Sequence, residues 1–388
     1  MPLILELRPS IVNEAFPGPS RKESLPLPTE PSILLVRFSS IGDVLLTTPV
    51  IRAVRRRWPG SRVSFLVKDT FAPLLEGNPY LDEIIPFSSG GGVRELMSLS
   101  DSLKRKRLFL LADLHDSLRS RLLRTLVPAV ETVVYSKQLW KRSLLIYGRL
   151  DLFGERILSV PERYAKPLAG LGVELDSAPC ELYPGERERD LALEKIRGCW
   201  PAGNRLLAVA PGSAWPTKRW PPASFAAAAA GLAQSYGLKV LLLGSGDDSG
   251  ACRAVEDALD RRVERLNLAG ALPLAASAAA VAQSSLLLTN DTGLMHVATA
   301  VGTPVVAVFG CTTRHLGYFP YRSEAARVVE AELWCRPCTH NGRRRCPLGH
   351  FRCMKSIGPE RVAEAGAELL EQAGKTPGTE EDKPGDIC

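Results

Sequence analysis

The chain has 388 residues, enough for two domains with separate cores, because a single core stops growing at roughly 250–300 residues. Its 45% hydrophobic and 23% charged residues suit a globular protein; there is no run of about 18 uncharged apolar residues to span a bilayer and no secretory signal at the start, so the expected address is the cytoplasm. The formal charge of +7 favours an anionic partner without choosing among nucleic acid, a membrane surface and a phosphorylated substrate, and nine cysteines, an odd number, favour free thiols or a metal site over a disulfide framework.

Residues 1–30 hold Pro2, Pro9, Pro17, Pro19, Pro26 and Pro28 and little periodicity, which predicts a flexible arm. Short apolar runs at 33–37, 63–67, 83–87, 108–114 and 132–135 then alternate with helical segments. After the charged, turn-rich stretch "YPGERERDLALEKIRGCWPAGN" the pattern resumes with runs at 206–210, 239–244, 286–289 and 304–309. Buried strands alternating with helices predict α/β architecture with two parallel sheets covered on both faces. The expected division is 31–190 and 191–373, followed by a flexible tail at 374–388.

Two strands end in breaks that look like sites. The first run is followed by Ser39-Ser40-Ile41-Gly42-Asp43 and a helix, so Asp43 either caps that helix or faces a cleft as a general base. Pro49 kinks this helix or marks its true start. Arg52, Arg55 and Arg56 cluster on one helical face, and Arg119, Arg121 and Arg124 follow the strand-end loop "ADLHDSLRS"; both sets are either a solvated face or the lining of an anionic acceptor site.

In the second half, "VAPGSAWPTKRWPPASF" supplies Ser213, Thr217 and Lys218, with a lysine able to neutralise a diphosphate and Trp220 packed on the loop or on a nucleotide. "GSGDDSG" has the wrong final spacing for a dinucleotide fingerprint and reads as a tight turn near a ligand. "LLLTNDTGLMHVATAVGTPVVAVFG" is a strand, a turn at Asn290-Asp291-Thr292-Gly293, a helix over 293–300 stopped by Gly302, and another strand. A right-handed crossover puts this turn at the carboxyl edge of the sheet, where first-turn N–H groups and the helix dipole make an anion site. The plainer alternative is that Asp291 or Thr292 only caps the helix and His296 only packs.

"SSIGDVLLTTPVIRAVRRRWP", "ADLHDSLRS", "PGSAWPTKRWP", "NLAG" and "TNDTGLMHVATAVGTPVVAVFG", in this order over 33–310, resemble glycosyltransferase family 9, the ADP-heptose:lipopolysaccharide heptosyltransferases. The resemblance implies a GT-B fold: two Rossmann-like domains facing a cleft, the first binding acceptor and the second the nucleotide sugar, with the final helix crossing back to the first. It implies an inverting transfer that needs neither metal nor cofactor. Asp43 would be the base; Ser213, Thr217, Lys218, Asp291, Thr292, Gly293, Leu294 and His296 would hold the ADP-heptose donor; Arg52, Arg55, Arg56 and Arg119 would hold the anionic lipopolysaccharide core. Glu256 or Asp247 would meet the ribose. Weak contact with the inner face of the cytoplasmic membrane suits such an acceptor; nucleic acid is not an expected partner.

"WCRPCTHNGRRRCPLGHFRC" brings Cys335, Cys338, Cys346 and Cys353 within 19 residues, but the second pair is six residues apart where a zinc site usually has about two to four, so reduced thiols compete with a structural metal site. Three other functions remain in view. One is a transferase of the same family with another nucleotide sugar or acceptor. An epimerase would need no basic acceptor face. A nucleic-acid binder would need aromatic residues among its arginines, and these are lacking.

Overall fold

The computed structural model describes residues 30–88, 90–154 and 157–375, so the expected arm lies outside the described residues except for its last position, and the tail except for its first two. The first half runs β1 (Ser32–Val36), α1 (Ile41–Leu45), α2 (Thr48–Arg57), β2 (Arg62–Lys68), β3 (Glu83–Phe87), α3 (Gly92–Lys104), β4 (Leu108–Asp113), α4 (Leu118–Leu126), β5 (Ala129–Val134), α5 (Leu139–Ser143) and α6 (Val160–Ala165). The second runs α7 (Glu186–Arg197), β6 (Leu206–Ala210), α8 (Pro222–Tyr236), β7 (Lys239–Leu242), α9 (Ser249–Ala258), β8 (Arg265–Asn267), α10 (Leu274–Ala282), β9 (Leu286–Asn290), α11 (Gly293–Val301), β10 (Val305–Phe309), β11 (Ala326–Glu330), α12 (Arg352–Lys355) and α13 (Pro359–Lys375).

Both sheets are parallel, with orders β3-β2-β1-β4-β5 and β11-β10-β9-β6-β7-β8. The strands read from apolar runs include all the buried central ones, with β6, β9 and β10 buried at every position, and also the half-buried edges β3 and β5. β8 and β11, which no run announces, are half-buried edge strands carrying Arg265, Arg327 and Glu330, where one face meets water and a continuous apolar run is not required. The strand order reverses between β1 and β4 and again between β6 and β9. Those switch points open crevices at the carboxyl ends of the strands, where doubly wound sheets bind ligands.

Pro49 lies in the first turn of α2, so it starts that helix and does not kink it. The expected boundary at 190/191 falls inside α7, which packs as one helix on α10. The chain changes halves earlier: the Glu181 N–H donates to the Thr48 hydroxyl at 3.0 Å on the first half, and the Leu182 N–H donates to the Ala300 carbonyl at 3.1 Å on the second. The final helix also differs from expectation. α13 packs on α8, β9, β10 and β11, burying Val362, Leu369 and Leu370 in the core of the second half, and Gly366 lets it close on Leu232 and Leu286. That apolar face holds it on its own sheet. Among the described residues no helix is long and apolar enough to cross a membrane.

Candidate functional site

A cleft of about 800 Å³ lies where the two switch points meet. From the first half it is lined by Ser40, Ile41, Gly42 and Asp43, and from the second by the loops after β6, β7 and β9.

Asp43 both closes the start of its helix and faces the cleft. Its Oδ2 accepts the Ser40 N–H at 3.2 Å and the Ser40 hydroxyl at 2.9 Å, closing the first turn of α1. Its Oδ1 meets Arg37 Nη2 at 2.7 Å, the Tyr318 hydroxyl at 3.1 Å and the Tyr164 hydroxyl at 3.3 Å. Burial alone would raise this carboxyl, but the Arg37 guanidinium and the Ser40 and Tyr318 hydrogen bonds outweigh it and hold the group below its ordinary value. Arg37 is itself fixed by donating to the Ser39 and Leu114 carbonyls. Burial pushes both tyrosines up, so they remain protonated donors.

Across the cleft, β9 ends in Asn290 and Asp291, and Thr292 is the N-cap position of α11. Asp291 Oδ2 pairs with Lys218 Nζ at 2.7 Å and accepts the Thr312 hydroxyl at 2.5 Å, so Asp291 is a clamp on neighbouring loops and not the cap. Asn290 stitches the loop after β6 to β9, accepting the Trp220 N–H at 3.0 Å and donating to the Pro211 carbonyl at 2.8 Å. The lysine is thereby held over the start of α11, whose first-turn N–H groups have no intrahelical acceptor. His296 sits one turn in, buried; burial pushes its imidazole down to about 4 against the pull of Asp291 and Asp43, so it is neutral near pH 7.

Two glycines bring the halves together at this point. A Cβ on Gly42 would lie 2.5 Å from His296 Cδ2, and one on Gly293 would lie 2.8 Å from Ile41 Cβ. The Asp43 loop and the start of α11 thus touch backbone to side chain in both directions.

Ser213, Lys218, Asp291, Thr292, Gly293, Leu294 and His296 line the cleft as expected. Thr217 does not. It is buried and its hydroxyl bonds the Arg343 N–H at 2.8 Å and carbonyl at 3.0 Å, which commits it to the cysteine-rich segment. Trp220 is a core residue, edge-on to Phe225, with its indole N–H on the Ile357 carbonyl. Of the two acids near the ribose position, Asp247 lines the cleft, whereas Glu256 accepts from Asn267 at 2.7 Å.

Three of the four arginines read as acceptor ligands are tied to partners within the fold. Arg52 is 5% exposed and forks onto Asp176 at 2.8 Å and Glu181 at 2.6 Å, fastening α2 to the segment that leads into the second half. Arg55 is spent on Asp82 and the Ser61 carbonyl, Arg56 on Asp176. Arg119 is exposed on α4. None of the four lines the cleft. Helical periodicity placed Arg52, Arg55 and Arg56 on a common face, but it could not show that the carboxylates they meet lie about 25 to 130 residues away.

The cysteine-rich segment was not expected to approach the chemistry, yet it supplies His340 and Asn341 to the cleft wall. It is fastened by the Cys338 N–H to the Cys311 carbonyl at 3.1 Å and by Arg343 to Thr217. Cys335, Cys338, Cys346 and Cys353 are free; among the described residues no group of three or more His, Cys, Asp or Glu side chains is placed to hold a metal ion. Sequence reasoning also passed over Arg37, Tyr164 and Tyr318. Arg37 closes the apolar run at 33–37 and reads as a strand end; the tyrosines carry no local signal.

The sequence profile of glycosyltransferase family 9 (heptosyltransferase) matches residues 97–348. Lipopolysaccharide heptosyltransferase 2 of Salmonella typhimurium is 28% identical over 361 residues, covering 88% of this chain and 99% of that protein. Lipooligosaccharide heptosyltransferase 2 of Campylobacter jejuni is 30% identical over 174 residues, 44% of this chain, and the matched part spans about half, 53%, of that relative. The solved structure of ADP-heptose lps heptosyltransferase II from E. coli superposes with a TM-score of 0.70 at 26% identity, covering 88% of this chain and 99% of that one. Two parallel sheets facing one cleft, with a carboxylate loop on one side and an anion-binding helix on the other, are thus found together with a profile match over most of the chain, and the protein belongs to glycosyltransferase family 9.

Proposed function

We propose that this protein transfers heptose from ADP-heptose to the inner core of lipopolysaccharide, with inversion and without a metal. The observation that carries the reading is that Asp43 and the start of α11 face each other across one cleft. The acceptor hydroxyl attacks the anomeric carbon from the Asp43 side while the bond to the diphosphate breaks on the other; the proton passes to Asp43 and ADP leaves. A carboxylate of low basicity suits this order, because the hydroxyl becomes strongly acidic only once its oxygen bonds to carbon. Lys218 and the N–H groups of Thr292, Gly293 and Leu294 offset the charge that develops on the diphosphate. Ser213, Asp291 and His296 shape the donor pocket, with Asp247 near the ribose.

The relatives named as heptosyltransferases support the donor and acceptor classes. We place the acceptor domain before the Glu181–Leu182 crossover and the donor domain after it. Exposed Leu118, Trp140 and Tyr147 beside Arg119 and Lys141 support weak contact with an anionic membrane surface, where a glycolipid acceptor resides. Calorimetry with ADP, UDP, GDP and CDP in the absence of metal tests the reading: preference for ADP is expected. Preference for another nucleotide would keep the mechanism and replace the donor, and binding of none would remove the transferase reading.

A further inference from the structure

Arg52, Arg55 and Arg56 each meet a carboxylate, whereas another guanidinium of the first half lies behind the cleft wall without one among the described residues. Residues 117–150 carry seven Lys or Arg and one Glu, and one of these cations is buried without a counter-charge. Arg142, at the end of α5, is 7% exposed. Its one hydrogen bond to a side chain runs to the Tyr135 hydroxyl at 3.2 Å, its Nε has no partner, and among the described residues no carboxylate pairs with it. Its guanidinium carbon lies 5.9 Å from the centre of the Tyr318 ring, and Tyr318 holds Asp43. It is near enough to His340 to add to the burial that pushes that imidazole down, and the Nδ1 of His340 is buried and unpartnered too. Behind it Arg163, 3% exposed, donates to the Leu316 and His315 carbonyls, shares Tyr135 with Arg142, and is pushed down by burial and by Arg142. Two buried guanidinium groups side by side, with no carboxylate paired to either among the described residues, are costly unless an anion joins them.

We propose that Arg142, with His340, forms an oxyanion subsite behind Tyr318 that receives a carboxylate or phosphate of the acceptor sugar and orients the attacking hydroxyl toward Asp43. The assignment to the acceptor rests on the function proposed above; the anion site itself does not. The carboxylate and phosphate sources are separated by titrating the protein with glucuronate and with inorganic phosphate, following the His340 ring signals by NMR, with ADP binding by calorimetry as an independent measure of the donor side.

One of the two anions is expected to raise the His340 pKa. Arg142→Ala should weaken that anion by at least about tenfold, raise the His340 pKa in the free protein and leave ADP binding unchanged, with Arg142→Lys in between. Wild-type protein that binds neither anion at His340, or an Arg142→Ala protein that binds ADP and the anion as before, would overturn the subsite. If Arg142→Ala loses ADP binding, Arg142→Lys is judged by the same two titrations; loss of ADP binding in both makes Arg142 a packing residue. An anion effect in a protein that fails to bind ADP would leave the subsite standing and remove the transferase reading.

Discussion

Arg37 Nη2 lies 2.7 Å from Asp43 Oδ1, on the edge of the carboxylate opposite the one that Ser40 holds. The carboxylate is therefore fixed from both sides and kept ionised, the state that the proposed base role requires.

Asp43→Asn keeps the shape and most hydrogen-bonding capacity but not the charge. Turnover should fall by at least about a hundredfold while the ADP dissociation constant hardly moves, as single-turnover kinetics and calorimetry would report. Turnover within a few-fold of wild type would remove Asp43 as the base.

Lys218→Ala removes the ammonium group above α11 and frees Asp291 from its pair. ADP and ADP-sugar binding should weaken by about tenfold or more, since charge-assisted contacts to phosphate are worth about 1.5–3 kcal/mol. An unchanged dissociation constant would mean that the lysine serves only Asp291.

Charge on the leaving diphosphate is met by a lysine and a helix terminus in this reading, so prolonged treatment with EDTA should leave the transfer rate within about twofold. Full loss restored by Mg²⁺ or Mn²⁺ would show that these groups are insufficient.

Two histidines make stability depend on pH. Burial pushes His115 down to about 3 and His296 to about 4, below the ordinary value of 6.5 that applies when the chain unfolds. The unfolded chain then takes up more protons as the pH drops, so the stabilisation is complete above about 6.5 and is lost on the way down to 4 and 3. At pH 5 the His296 share is about 2 kcal/mol. Denaturant titrations at pH 7 and 5 should show this loss, and His296→Asn should shrink the difference between the two by a comparable amount. An equal difference in the variant would place the titration elsewhere.

The interior of the fold was legible in the sequence because continuous apolar runs are what doubly covered parallel strands require; β6 and β10 lie over the residues that the runs marked. Half-covered β8 and β11 gave no such signal. The site divided in the same way. Asp43, Lys218 and Gly293 lie within turns whose residue types state a local need, and the structure brings them to one cleft. Tyr164 and Tyr318 reach Asp43 from 121 and 275 residues away, and nothing in their neighbourhoods records it. The arginines failed for the same reason in reverse. Periodicity shows the face a side chain occupies, while Asp176, Glu181 and Asp82, which decide what Arg52 and Arg55 do, belong to other segments.

Glu181 and Leu182 are consecutive residues bonded to opposite halves. A hinge made this way has almost no lever: if the halves swing, the torsions around one peptide must absorb the change, and Arg52 clamps the approach to it through Asp176 and Glu181. A proline placed at 182 would remove the N–H that ties this junction to Ala300 as well as stiffening it, so a change outside the cleft would bear on how freely the two halves can swing.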